Sequence, residues 1–284
     1  MKTKAQYTRG FSATELLVVV AVIAVIAALL LPAIGRTKGT ARKAHCSSNL
    51  KQWGIIWNVY TGDNEGKFST GRRPGSGMPR GEWVWALSDH YLKEPNLLHC
   101  PEAIDRRGYA NCRTDVELRR RPDTPENQLA AYGGARTAFN FPANPRLTDL
   151  PGTFWTASYG MNNWAYNVEG ELQGRKPQFH WREMDIPYET SEAPLFADAM
   201  WRGGGPDHEI PEKWEPPEWH AQWSGVGSES KHFAIKRHAN GINVLYFDGS
   251  VRRTAKPVDI WKMKWHINYD VHAWKTNQFP SWML

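Results

Sequence analysis

Hydrophobic and polar positions divide this chain into two materials. Residues 16–31 (LLVVVAVIAVIAALLL) are entirely apolar, yet the mean hydropathy of the whole chain is -0.59, so the remainder of the chain is markedly polar. From Phe11 to Ile34 the only charged side chain is Glu15. A helix over that stretch reaches roughly 36 Å at about 1.5 Å per residue, long enough to cross a bilayer. Beyond it, Cys46, Leu50, Trp53 and Trp57 recur at spacings of four, three and four, while Arg42, Lys43, Ser48, Asn49 and Lys51 largely occupy the other positions. The helix is therefore predicted to continue to about Tyr60 and to bury one stripe against a globular head. Pro32 cannot donate to the carbonyl of Ala28 and predicts a kink or local loosening there.

Thr61-Gly62-Asp63-Asn64-Glu65-Gly66 supplies glycine and turn formers that end the helix. The same segment has too few oxygen ligands, and no glutamate at the twelve-residue spacing, for a calcium loop. Residues 70–82 and 101–130 are rich in Gly, Pro and charge and read as long loops over a small sheet. The clearest strand signal lies at residues 237–253 (RHANGINVLYFDGSVRR). There Asn240-Gly241 and Asp248-Gly249 are turn dipeptides around the β-branched and aromatic run Ile242 to Phe247, predicting consecutive antiparallel strands.

Charge adds a targeting signal. Lys2, Lys4 and Arg9 precede the apolar run, and the small residue at the junction, Gly10, lies before that run. A cut at Gly10 would leave the hydrophobic stretch on the mature chain, unlike the cut of an ordinary secretory signal peptide. An ionisable group such as Glu15 inside such a segment costs on the order of 2.5–3.5 kcal/mol, so it needs a partner or a task.

The junction G-F-S-A-T-E-L-L-V-V-V-A-V-I-A, residues 10–24, closely resembles the leader junction of type IV prepilins and type II secretion pseudopilins. His238, nine residues, Asp248 and Gly249 resemble the H-x(9)-D-G signature of a C-terminal domain found with such N-termini. The pieces N-L-K-Q-W-G (49–54), S-Y-G-M-N (158–162) and L-F-A-D-A (195–199) extend the likeness. The resemblance implies cleavage after Gly10, methylation of the new N-terminal amine on Phe11, and a role for Glu15 in assembly, its carboxylate neutralising the buried ammonium of a neighbouring subunit. It also places an assembly-linked bend at Pro32.

The organisation implied is a leader at 1–10, a transmembrane and assembly helix at 11–60 and a head at 61–284. The fold class is α+β, pilin-like, with a long N-terminal helix packed on an antiparallel sheet. Implied partners are a prepilin peptidase and methyltransferase, an assembly platform with its ATPase, and other pilin-like subunits. The implied location is the inner membrane, single-pass, with the head outside the cytoplasm, and then a periplasmic or extracellular filament. Arg36, Lys38, Arg42 and Lys43 outnumber the basic residues before the span and by themselves favour the opposite topology. The leader resemblance overrules that count. The function it implies is structural, as a subunit of a pilus or secretion pseudopilus, and not that of an enzyme.

Three cysteines, Cys46, Cys100 and Cys112, show no C-x-x-C pairing, so spacing indicates neither a zinc knuckle nor a redox motif. Cys46 lies on the buried stripe and Cys100 follows an apolar segment, so a disulfide between these two is the favoured pairing, with burial as free thiols the alternative. His238 with Asp248, or both with His232 and Asp198, could be drawn as an acid–base pair or as metal ligands, but no spacing compels it. No catalytic residue, metal or cofactor is assigned from the sequence. Nucleophile-elbow, zincin, P-loop and dinucleotide motifs are missing from it.

The chain has 15 tryptophans, and Trp201, Trp214, Trp219 and Trp223 crowd the insert-like stretch 202–230 or its border. Anchoring loops in a core is their ordinary use. An exposed set would instead offer a membrane-anchored surface for carbohydrate or a protein partner. A net charge of +6, with one dense spot at Arg119, Arg120 and Arg121 and no interleaved aromatic stripe, gives no case for nucleic acid.

Overall fold

A computed structural model of the chain describes residues 12–72, 82–104, 133–142, 154–186, 190–206, 215–222 and 229–284. Gly10, Phe11, Cys112, the 119–121 arginines, Trp214 and Trp223 lie outside the described residues. The protein is α+β, with an apolar N-terminal helix and a mixed β-sheet, and it divides into two compact units, Met1–Ala41 and Arg42–Leu284.

Helix α1 runs Ala13–Asp63 and is continuous through Pro32. It starts in a capping box. The Ser12 hydroxyl accepts from the Glu15 amide at 3.3 Å, and the Glu15 carboxylate accepts from the Ser12 amide at 2.8 Å and its hydroxyl at 2.7 Å. Its stretch Ala13–Leu31 has a hydropathy of 2.9, long and apolar enough to cross a membrane, and none of it is buried. Every described side chain in that stretch faces outward.

Within Arg42–Leu284 the predicted stripe is the core-facing side of α1: Cys46, Leu50, Trp53 and Trp57 are all fully buried. Asn49 is buried beside them, contrary to its expected polar face, because its amide donates to the His99 carbonyl at 3.0 Å. The Trp53 indole donates to the Leu97 carbonyl at 3.0 Å, and its ring packs on Trp83 at 5.2 Å and Phe196 at 5.1 Å. Such aromatic pairs add about 0.5–1.5 kcal/mol each beyond area burial. The helix extends past the predicted Tyr60 to Asp63, where Glu65 and Gly66 take positive φ and the Gly66 amide caps the Thr61 carbonyl at 2.7 Å.

Strands β1 (Phe139–Pro142) and β2 (Phe154–Ala157) form an antiparallel pair. The main sheet contains β3 (Tyr159–Asn162), β4 (Pro194–Asp198), β5 (Gly203–Gly204), β6 (Asn243–Tyr246) and β7 (Val251–Arg253), in the order β5-β3-β4-β6-β7. All of its pairs are antiparallel except β3 with β5, so the expected antiparallel sheet is present with one parallel pair, and the sheet as a whole is mixed. The chain reverses after β4 and returns on the far side of β3, in the direction of β3. Glycine is needed in β5, since a Cβ on Gly203 would lie 2.4 Å from Asn163 Oδ1 and one on Gly204 2.4 Å from the Glu229 carbonyl.

The predicted β6–β7 hairpin is present, with Gly249 at φ 73 and the Asp248 carboxylate accepting from the Ser250 amide at 2.8 Å. The Asn240-Gly241 turn is displaced: Ala239 takes the positive φ of 57. Gly241 serves close approach instead, because a Cβ there would meet the Thr254 carbonyl at 2.1 Å.

Glu82 precedes the short helix α2 (Trp83–Ala86), and its buried carboxyl is hydrogen-bonded by Ser69. Burial pushes its pKa up to about 7, the Ser69 bond opposing. The folded state therefore holds a proton that the unfolded chain releases near pH 4.5. This contribution is fully present below that pH and lost as pH rises through about 7, a change of about 3 kcal/mol. Glu82→Gln is expected to flatten this part of the pH dependence and to be the more stable form at about pH 8, as read by urea unfolding at several pH values.

Candidate functional site

Four elements of the head deliver polar side chains to one buried point. Cys46 comes from α1, Cys100 from the segment after Leu98, Asp198 from the end of β4, and His238 from the segment leading into β6. All four are buried without exposure, and their ligand atoms lie within 4.8 Å of one another. His238 Nε2 is 2.9 Å from Asp198 Oδ2 and 3.3 Å from Cys100 Sγ, and Cys46 Sγ is 3.4 Å from Asp198 Oδ2. Cys46 and Cys100 are free thiols here. Among the described residues this is the one group of His, Cys, Asp and Glu side chains that converges.

A shell of donors fixes the cluster. Arg237, buried, donates to Asp198 Oδ1 at 3.1 Å, to the carbonyls of Ala135, Gly134 and Ala199 at 3.2, 2.6 and 3.1 Å, and to the Ser158 carbonyl. The Asn243 amide donates to Asp198 Oδ2 at 2.9 Å, and the Tyr159 hydroxyl donates to Cys46 Sγ at 3.4 Å. The arginine thus ties 134–135, 158 and 198–199 around one carboxylate.

The electrostatics result from this packing. Burial alone would raise the Asp198 pKa, but His238, Arg237 and the Asn243 amide outweigh it and hold the carboxyl far below its usual range. Burial opposes protonation of His238, yet the Asp198 carboxylate raises its pKa to about 9. Burial, the Cys100 contact and the Asp198 charge push the Cys46 thiol up. Burial acts the same way on Cys100, but hydrogen bonding from Cys46 and His238 and the charge of Arg237 bring it down.

No family model, no curated protein and no solved structure matches this chain.

The site therefore stands on its geometry. Asp198 and His238, drawn together from the sequence, are in contact. His232 and Asp248 belong elsewhere: His232 Nδ1 bonds the Gly203 carbonyl at 2.7 Å, and Asp248 is exposed in its hairpin turn. The acid–base pairing of His238 with Asp248 is thereby removed. Cys46 and Cys100 do meet, but in a cluster that also contains Asp198 and His238. Arg237 and Tyr159 carry no signal in the sequence; Arg237 reads as one more basic residue before a turn.

The tryptophans are largely core. Trp53, Trp57, Trp83, Trp164, Trp181, Trp261 and Trp265 are fully buried, and no tryptophan whose side chain is described is exposed. Trp201 and Trp219 are half-buried, Trp201 beneath the Arg202 guanidinium at 5.0 Å.

Proposed function

We propose that this protein is a pilin-like structural subunit, processed at Gly10 and Phe11 by a prepilin peptidase and assembled with other subunits through α1, with its head outside the cytoplasm. The observation that carries the reading is α1 itself. One continuous helix has an exposed first part whose residues 16–31 are all apolar and a second part whose stripe is built into the core of the head. Such a helix suits extraction from a bilayer into a filament, where the apolar part finds like helices instead of lipid.

The capping box supports the reading further. Cleavage after Gly10 would put a new ammonium one residue before Ser12, whose amide and hydroxyl the Glu15 carboxylate holds, so that carboxylate is suited to pairing with the new charge in its own chain or in a neighbour. Of the other pieces that carry the family resemblance, 49–54, 158–162 and 195–199 fall on α1, β3 and β4, where they supply core residues such as Trp53, Tyr159 and Phe196. The burial of Asp198 and His238, with Asp248 placed apart, supports a structural role over hydrolysis.

Intact mass and N-terminal analysis of protein purified from the membranes of its native host test the reading. A chain beginning at methylated Phe11 is expected, with Gly10→Ala left uncleaved. A wild-type chain beginning at Met1 would overturn it in favour of a simple anchor.

A further inference from the structure

The geometry points to a structural divalent metal site, most suited to zinc, formed by Cys46, Cys100, Asp198 and His238. Two sulfurs, one carboxylate oxygen and one imidazole nitrogen form a four-ligand set of the kind zinc takes in closed, non-catalytic sites. The edges of a tetrahedron at zinc bond lengths are about 3.3–3.8 Å. Cys100 Sγ to His238 Nε2 at 3.3 Å and Cys46 Sγ to Asp198 Oδ2 at 3.4 Å fall in that range, whereas the His238–Asp198 edge, at 2.9 Å, must open.

Charge supports the same assignment. With both cysteines as thiolates and His238 neutral, the ligands carry three negative charges, of which Arg237 offsets one. A divalent cation leaves the buried site neutral, whereas a fully buried point with unbalanced charge is costly. Binding releases the two thiol protons and the His238 Nε2 proton to water. Arg237 and the Asn243 amide on Asp198, and Tyr159 on Cys46, already hold two of the four ligands from outside, in the way that the surroundings of a metal site orient its ligands. The ion would pin α1 to the sheet from inside the head. This does not depend on the pilin reading, since an anchored head of any function would gain the same joint.

Metal analysis and cobalt substitution of the full chain in detergent test it. The expected result is one zinc per chain as isolated and, after exchange, one cobalt with a thiolate charge-transfer band and the intense visible bands of a tetrahedral ion. Cys46→Ser and Cys100→Ser should lower the stoichiometry from one toward zero, while His45→Ala, an exposed neighbour on α1, should leave it at one. Because the cysteine variants can fail to fold, the wild-type cobalt spectrum decides by itself. A metal-free wild type that takes up no cobalt overturns the proposal, whether mass analysis finds a Cys46–Cys100 disulfide or two free thiols.

Discussion

Asp198→Ala is expected to lower the unfolding free energy by about 3–5 kcal/mol, the largest loss from any single side chain of the buried cluster. The substitution leaves the Arg237 guanidinium inside the head with its four carbonyl partners but no counter-charge, and strips the Asn243 amide of its acceptor. An uncompensated buried cation costs far more than the intact pair contributes. Asp198→Asn keeps an acceptor for only one of the two donors, because Arg237 bonds Oδ1 and the Asn243 amide Oδ2, and it removes the same counter-charge, so it is expected to lose nearly as much. Urea unfolding of the detergent-solubilised protein, followed by its tryptophan fluorescence, measures both. A loss for Asp198→Ala below about 1 kcal/mol would show that Arg237 reaches water, contrary to the packing described.

Acid is expected to be nearly as damaging, chiefly through two buried histidines beside Trp164. His180 and His266 lie 5.0 and 4.4 Å from the Trp164 ring, centroid to centroid. Burial, with the charges of Arg175, Arg182 and His266, holds the His180 pKa down to about 3; burial, with Lys264 and Arg175, does the same to His266. The unfolded chain protonates both near pH 6.5, so here the unfolded state binds more protons and stability falls as pH drops from about 6.5 toward 3. Each group contributes up to about 4–5 kcal/mol over that window.

Glu82 opposes this with one proton between about pH 7 and 4.5. Burial with Lys236 and Arg237 lowers His220 to about 4 as well, so three histidines against one carboxyl give a net loss of about 2.7 kcal/mol per pH unit between about pH 6 and 4.5. Urea midpoints at about pH 7.5, 6, 5 and 4 should fall accordingly. The double variant His180→Gln/His266→Gln should lose most of the slope even if its stability at neutral pH is lower. An unchanged slope in that variant would place the acid sensitivity elsewhere.

The head shows why some features are legible in the sequence and others are not. The stripe Cys46, Leu50, Trp53 and Trp57 can be read because a helix repeats every ~3.6 residues, so a buried face marks itself at regular spacings. The β6–β7 hairpin can be read because Asp248-Gly249 meets the demands of a tight turn within the turn itself. Asn240-Gly241 misleads for the complementary reason. Packing against Thr254 places the glycine of this turn-favouring dipeptide, and the positive φ moves to Ala239. Asn49 escapes a local reading because its partner, the His99 carbonyl, is supplied by a distant segment.

Local pattern alone was enough for the apolar span, the continuation of α1 into a head, and the hairpin near the C-terminus. Each is set by covalent geometry, turn chemistry and the cost of placing polar groups in hydrocarbon. Three-dimensional packing was needed to bring Cys46, Cys100, Asp198 and His238 to one point, to close the charge around it with Arg237, and to give the sheet a parallel edge at Gly203–Gly204. Those four side chains come from segments spread over most of the chain. No local period or spacing records their meeting, because it is fixed by the packing of α1 on β3, β4 and β6 and not by the residues beside each of them.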